Sequence, residues 1–348
     1  MKEQRKLQLI KGVNQLLDKK SLLRVKQSAA ITYLPGGSDR FFFRLIDKGS
    51  LIIMVTPTKK EVREYICIQK HLLKRGVGVP KIYAWDKDAK MVIMEDVGKE
   101  SVYKIMNRNK GKKTTEQLYK TIIENLILLQ VKGNTGIERC KPVYKRVFDY
   151  NVLRWESEYF RDAFLENQCG FSKQETKALE NDFHKLALSL AHEPTFFMHR
   201  DLQSTNIFFK NGFVKFIDFQ SAHRGLLMYD IASLLRDSYI NLRRKMRESL
   251  LVYYHMLLQE YVDDYRSFRA FRRIYIVTAI QRNMQVLGAF SFLSKTKKKK
   301  WFLNAIPQGI EYLQEGLDEI GVYRDLRKFV NSSRVKECVK LIDSLKKK

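Results

Sequence analysis

The chain has 348 residues, of which 45% are apolar and 12% aromatic, enough to bury a real core, and this excludes a low-complexity or disordered polypeptide. Its formal charge of +27 would draw nucleotides, anionic lipid or nucleic acid, and the lysine runs at 297–300 and 346–348 hold only part of it. Four cysteines far apart and without a C-x-x-C pair argue against a zinc site or disulfide framework and read as buried reduced thiols, while charges break every apolar stretch of the N-terminus and no run of about 18 apolar residues occurs, so that neither a signal peptide nor a spanning helix is expected and the cytoplasm is the expected location.

In chain order, residues 29–34 (AAITYL), 41–45 (FFFRL) and 51–55 (LIIMV) predict three short strands split by turn residues. A helix follows over 60–75, with Val62, Tyr65, Ile66, Leu72 and Leu73 on one face. Two more strands, 81–85 and 91–95, lead to Asp96-Val97-Gly98. Five strands and one helix make a small first lobe, 1–97, and residues 98–348 make a second that is mostly helical. Beyond Thr114 the stripe Leu118, Ile122, Leu126 and Leu129 predicts a helix, and further helices fit 150–167 and 173–192. The exception is 195–217, where β-rich runs surround Asn211-Gly212, the two-residue signal of a hairpin. The helical pattern returns at Leu226 and is apolar nearly all round between Phe268 and Leu293, as a buried helix requires.

Phosphoryl transfer needs a group to accept the attacking hydroxyl's proton, oxygen ligands for magnesium and donors that hold the phosphates. The stretch His199-Arg200-Asp201-Leu202-Gln203-Ser204-Thr205-Asn206 matches H-R-D-L-x-x-x-N position for position, and Asp218-Phe219 follows a strand as the first residues of D-F-G do. Asp201 is therefore the expected base, and Asn206 and Asp218 the expected metal ligands. The turn Gly36-Gly37-Ser38 sits where a phosphate-covering loop belongs but lacks G-x-G-x-x-G, and reads equally as an ordinary hairpin turn. The 51–55 strand has no lysine for the phosphates. Arg44 or Lys59 is the candidate substitute, with Glu64 as its helix partner, although each also reads as a solvated surface charge. No A-P-E segment follows Asp218, which favours a small substrate over a protein.

The segments HRDLQSTN, IDFQSAHRGLLMYDIASLLRDSY and QRNMQVLGAF, with GGSDRFFFRL, MEDVG and FDYNVLRWESEYF, resemble the aminoglycoside phosphotransferase-like superfamily over about residues 34–313. Within it they are most similar to the bacterial N-acetylmuramate/N-acetylglucosamine anomeric sugar kinase branch. The resemblance implies an α+β, bilobal protein-kinase-like fold: an antiparallel sheet with one main helix, then a helical lobe carrying a catalytic hairpin. It implies ATP and Mg2+ as cofactors, and phosphorylation of the anomeric hydroxyl of an amino sugar in cell-wall recycling. By the same likeness Asp230 braces the catalytic loop beside His199, and Glu95 and Asp96 lie at the adenine-binding hinge. Gln203, Gln220, Arg224, Arg236, Gln281 and Arg282 are placed near the sugar, although helix pairing accounts equally for Arg236, Gln281 and Arg282. Ser221 and Thr205 depart from the branch, which usually has aspartate and arginine there, and this bears on the sugar rather than the reaction.

Other readings stay open at this level. A kinase of a lipid-linked or lipopolysaccharide-core sugar would use the basic surface for weak docking on an anionic membrane, and an aminoglycoside or choline-like acceptor is a further alternative. A pseudokinase or nucleic-acid scaffold would fit the charge and the missing lysine, but the aromatic residues follow core-like periodicity, so no specific nucleic acid partner is expected. A monomer is expected.

Overall fold

A computed structural model describes residues 3–19, 24–37, 39–108, 112–262 and 266–345. They form two compact units, one running to Glu100 and including Phe208–Gln220, the other made of Ser101–Ile207 and the chain from Ser221 onward.

In the first unit β1 (Ala30–Leu34), β2 (Phe41–Ile46), β3 (Ser50–Val55), β4 (Ile82–Asp86) and β5 (Met91–Glu95) form an antiparallel sheet in the order β1-β2-β3-β5-β4. Strand alternation assigns the faces. Ile53 and its register partner Ile93 turn to one side with Leu45 and Ala84, and helix α1 (Glu3–Asp18) covers them with Val13, Leu16 and Leu17. Each such burial is worth about 1.5–3 kcal/mol before the cost of ordering the chain. On the other side Met94 accepts the hydroxyl of Tyr65 at 3.3 Å, which seats helix α2 (Lys59–Lys74). Helix α1 is absent from the sequence-based reading because charges interrupt its apolar residues, yet Ile10, Val13 and Leu17 follow the i, i+3, i+7 spacing of a buried stripe.

The compact units do not follow a single cut after residue 97. Segment Phe208–Gln220 packs with the first unit because the Phe216 amide donates to the Gly78 carbonyl at 2.7 Å and the Lys210 ammonium to Glu95 at 2.9 Å. A Cβ on Gly78 would lie 2.0 Å from the Val214 carbonyl oxygen, so only glycine allows this approach. Gly78→Ala is expected to force the hairpin off the sheet, cost at least about 1–3 kcal/mol and lower Tm by several degrees in a thermal melt.

The second unit is built around the long helix Phe268–Lys295, buried on nearly all sides by the helices Tyr150–Phe160, Leu227–Leu235 and Ile306–Ile320. The predicted helix over 150–167 leaves α-geometry at Phe160 and continues as a π-turn through Glu166, and the one over 173–192 is interrupted between Thr176 and Glu180. Strand β6 (Thr195–Met198) precedes the hairpin of β7 (Ile207–Lys210) and β8 (Phe213–Phe216). Its turn residues Asn211 and Gly212 both have positive φ, 50° and 82°, as the Asn-Gly signal anticipates. Strand β6 pairs antiparallel with β9 (His223–Leu226), whose His-Arg-Gly-Leu sequence carries no strand pattern. All four cysteines are free thiols. Cys140 and Cys169 are buried as expected, but Cys67 and Cys338 are only half-buried. No helix among the described residues is long and apolar enough to cross a membrane.

Candidate active site

In the second unit the loop 199–206 is held by its backbone. The carboxylate of Asp230, at the start of the helix Leu227–Leu235, accepts the amides of His199 at 2.8 Å and Arg200 at 2.9 Å. Burial pushes the Asp230 carboxyl up to about 7, against the pull of these two amides. Arg200 has φ +76°, a left-handed conformation that costs an arginine of the order of 1–3 kcal/mol and persists only where the surroundings impose it. They do so here through Glu156, which is fully buried and receives Arg200 at 3.0 Å and the Tyr229 hydroxyl on both oxygens, at 3.1 and 3.0 Å. Asp237 anchors the loop's far end by accepting the Ser204 amide at 2.6 Å.

Asp201 keeps 31% of its side chain exposed. Its carboxylate accepts the Ser221 hydroxyl at 2.8 Å and lies 3.7 Å from the Arg282 guanidinium. Burial pushes its carboxyl upward, but Arg282 and Arg200 outweigh that and hold it below the ordinary range, so the group is a carboxylate at neutral pH. Asn206 donates its amide nitrogen to the Asp201 carbonyl at 2.9 Å, which fixes the flip of the amide and leaves the oxygen as its acceptor end.

The second loop belongs to the first unit. Asp218 has φ +63°, and the buried Phe219 beside it stacks on Tyr65 with centroids 4.7 Å apart. The Gln220 amide donates to the Asp218 carboxylate. Arg40 lies beside Asp218, its Nη1 3.6 Å from Oδ1, while its Nε donates to Glu61 at 3.0 Å. Glu61 stands in the first turn of α2, where Thr58 caps the helix by accepting the Glu61 amide.

This pairing differs from the sequence-based choice. Arg44 has its guanidinium on Asp96, at 2.6 and 2.9 Å, and on the Gly98 carbonyl, which ties it to the strand end. Lys59 pairs with Asp88 on the exposed surface, and Glu64 with Lys60. Arg40 directly follows Gly-Gly-Ser-Asp, and Glu61 stands three residues after a threonine cap. These were the available signals, but a contact across 21 residues has no local signature.

The remaining candidates separate. Gly36 and Gly37 lie half-buried in the turn between β1 and β2, and Ser38 lies outside the described residues. The buried Glu95 carboxylate accepts the Lys81 amide and the ammonium of Lys210. Gln203, Arg236, Asp237, Ser238, Arg282 and Phe290 line a small recess, with room for about one water molecule. Gln281 is fully buried and uses its amide on Leu153 and Ser157, while Arg224 lies over the Tyr144 ring at 4.7 Å; neither lines the recess.

Comparison with known proteins extends these observations. A family model described as a phosphotransferase enzyme family matches residues 30–271. The chain is 24% identical over 289 residues to an N-acetylmuramate/N-acetylglucosamine kinase of Pseudomonas aeruginosa, covering 81% of this chain and 82% of that protein. A protein of the same name from Neisseria meningitidis is 25% identical over 289 residues, with 82% and 84% covered. Among solved structures, a choline kinase from Cryptosporidium parvum aligns with a TM-score of 0.61 at 13% identity, covering 93% of this chain and 99% of that one. An ADP-bound aminoglycoside phosphotransferase, APH(2'')-Ib, aligns at 0.57 and 14% identity, covering 88% and 98%. At these identities the structural likeness speaks to the fold, which is kinase-like and α+β.

Proposed function

Because the chain belongs to the phosphotransferase enzyme family and is a phosphotransferase with a hydroxyl acceptor, we propose that it phosphorylates the anomeric hydroxyl of an amino sugar, N-acetylmuramate or N-acetylglucosamine, at the expense of ATP. The observation that carries this reading is the braced loop 199–206, in which a half-exposed Asp201 is kept ionised by Arg282 and Arg200. Asp201 orients the acceptor hydroxyl and takes its proton as the oxygen attacks the γ-phosphorus, and the bond from that phosphorus to the β,γ-bridging oxygen breaks.

Asn206 in the second unit and Asp218 in the first each offer a hard oxygen donor of the kind magnesium takes, an amide oxygen and a carboxylate. Among the described residues no cluster of three histidine, cysteine or acidic side chains offers a competing metal centre. Bound magnesium would neutralise charge on the phosphates. Arg40, oriented by Glu61, supplies the cation that the 51–55 strand lacks. Arg40→Met is expected to raise KM for ATP about tenfold or more, the worth of a charge-assisted hydrogen bond, with KM for the sugar unchanged in steady-state assays. Arg40→Lys should recover part of the loss.

An ATP-consumption assay with N-acetylmuramate, N-acetylglucosamine, kanamycin and choline tests the substrate class. The two amino sugars are expected to give the highest kcat/KM. A tenfold preference for choline or kanamycin would overturn the assignment.

A further inference from the structure

Soluble proteins bury large aromatic side chains where they can, and an exposed one beside a polar recess is a feature of ligand sites. In the second unit Trp301 is 48% exposed and Tyr103 36% exposed, yet both belong to an ordered group of rings. Trp301 stacks on buried Phe302 at 3.8 Å and faces Tyr239 nearly parallel, 6.0 Å away with 23° between planes. Tyr239 meets Tyr103 edge-on at 5.9 Å and packs on Phe290 at 5.4 Å. Phe290 in turn lines the recess, and Tyr239 directly follows Ser238, which lines it too. The wall is also tied to the catalytic loop: helix α3 (Val102–Arg108), which carries Tyr103, packs on the turn Ser204–Asn206, and Asp237 accepts the Ser204 amide.

The recess beside this wall contains donors that the protein does not use. The Ser238 hydroxyl and the Nε of Arg282 are buried, and among the described residues neither has a hydrogen-bond partner. Arg282 is 3% exposed. A buried donor left unmade carries a desolvation penalty, so a ligand able to satisfy it gains selectivity over one that cannot. A pyranose matches both features, because the C–H groups of one face pack on an aromatic ring while hydroxyl and acetamido oxygens at its rim accept hydrogen bonds.

We infer that Trp301, Tyr239 and Tyr103 form the stacking wall of the acceptor-sugar site, with Arg282 and Ser238 donating to the sugar's oxygens. The inference rests on the amino-sugar reading above and adds the residues that recognise the ring. Trp301→Ala should raise KM for N-acetylglucosamine by about five- to tenfold, the range expected for an aromatic contact, while KM for ATP stays within twofold. Trp301→Phe should stay within threefold of wild type, and an unchanged circular dichroism melt would show that Trp301→Ala still folds. A Trp85→Phe, Trp155→Phe protein keeps Trp301 as its sole tryptophan, and its emission should change on titration with N-acetylglucosamine without nucleotide. If wild type phosphorylates N-acetylglucosamine while Trp301→Ala keeps its KM and the emission is silent, the wall is wrong and the enzymatic assignment stands. If wild type phosphorylates no amino sugar and the emission is silent as well, both fail.

Discussion

Replacing Asp201 with asparagine is expected to lower kcat by at least about 10³-fold with the fold and ATP binding retained. General-base assistance alone is worth about 10²–10⁴, and the exchange removes the carboxylate of this loop without altering its shape. The asparagine oxygen can still accept the Ser221 hydroxyl that lies 2.8 Å from the native carboxylate. The loop's own anchors are elsewhere, on Asp230, Asp237 and Glu156. Buried Arg282 loses one counter-charge but keeps its proximity to Glu156. Single-turnover kinetics and a thermal melt check the prediction together. A variant within tenfold of wild-type turnover would remove Asp201 as the base.

Asp218→Asn is expected to be comparably severe, but through a different step. Asparagine is among the few residues that tolerate the left-handed φ of +63° found here, so the backbone should persist and the charge alone be lost. Arg40 keeps Glu61 at 3.0 Å, and Phe219 keeps its stack on Tyr65. Calorimetric titration of wild type should show ATP affinity rising with added magnesium. In Asp218→Asn that magnesium dependence should largely vanish and turnover fall at least about 10³-fold. Unchanged magnesium dependence would assign the metal to other ligands.

What could be read directly from the residues was what local pattern encodes. The five strands and α2 announced themselves by apolar alternation and helical spacing, and the Asn211-Gly212 turn by its chemistry. The loop 199–206 is legible because its aspartate, its asparagine and their spacing lie within eight residues. The supports of that loop are not. Glu156 lies 44 residues from the arginine it anchors, and nothing in Trp-Glu-Ser marks it as a buried counter-charge. Arg40 and Glu61 meet only because the turn before β2 and the start of α2 fold together, whereas Arg44, on the strand itself, serves Asp96. Gln281 illustrates the limit of helical pattern: a polar residue on a buried helix can face a ligand or another helix, and here its amide serves Leu153 and Ser157. The aromatic wall was hidden for the converse reason, since Trp301 and Tyr103 look like core residues until their exposure is known.

Phosphorylation of an amino sugar at its anomeric oxygen leaves a signature in phosphorus-31 and proton NMR of the product formed from N-acetylglucosamine, ATP and magnesium. The expected product carries a phosphate coupled to H1 of the sugar. Phosphate coupled to a ring or C6 proton, or no sugar phosphate from active protein, would contradict it.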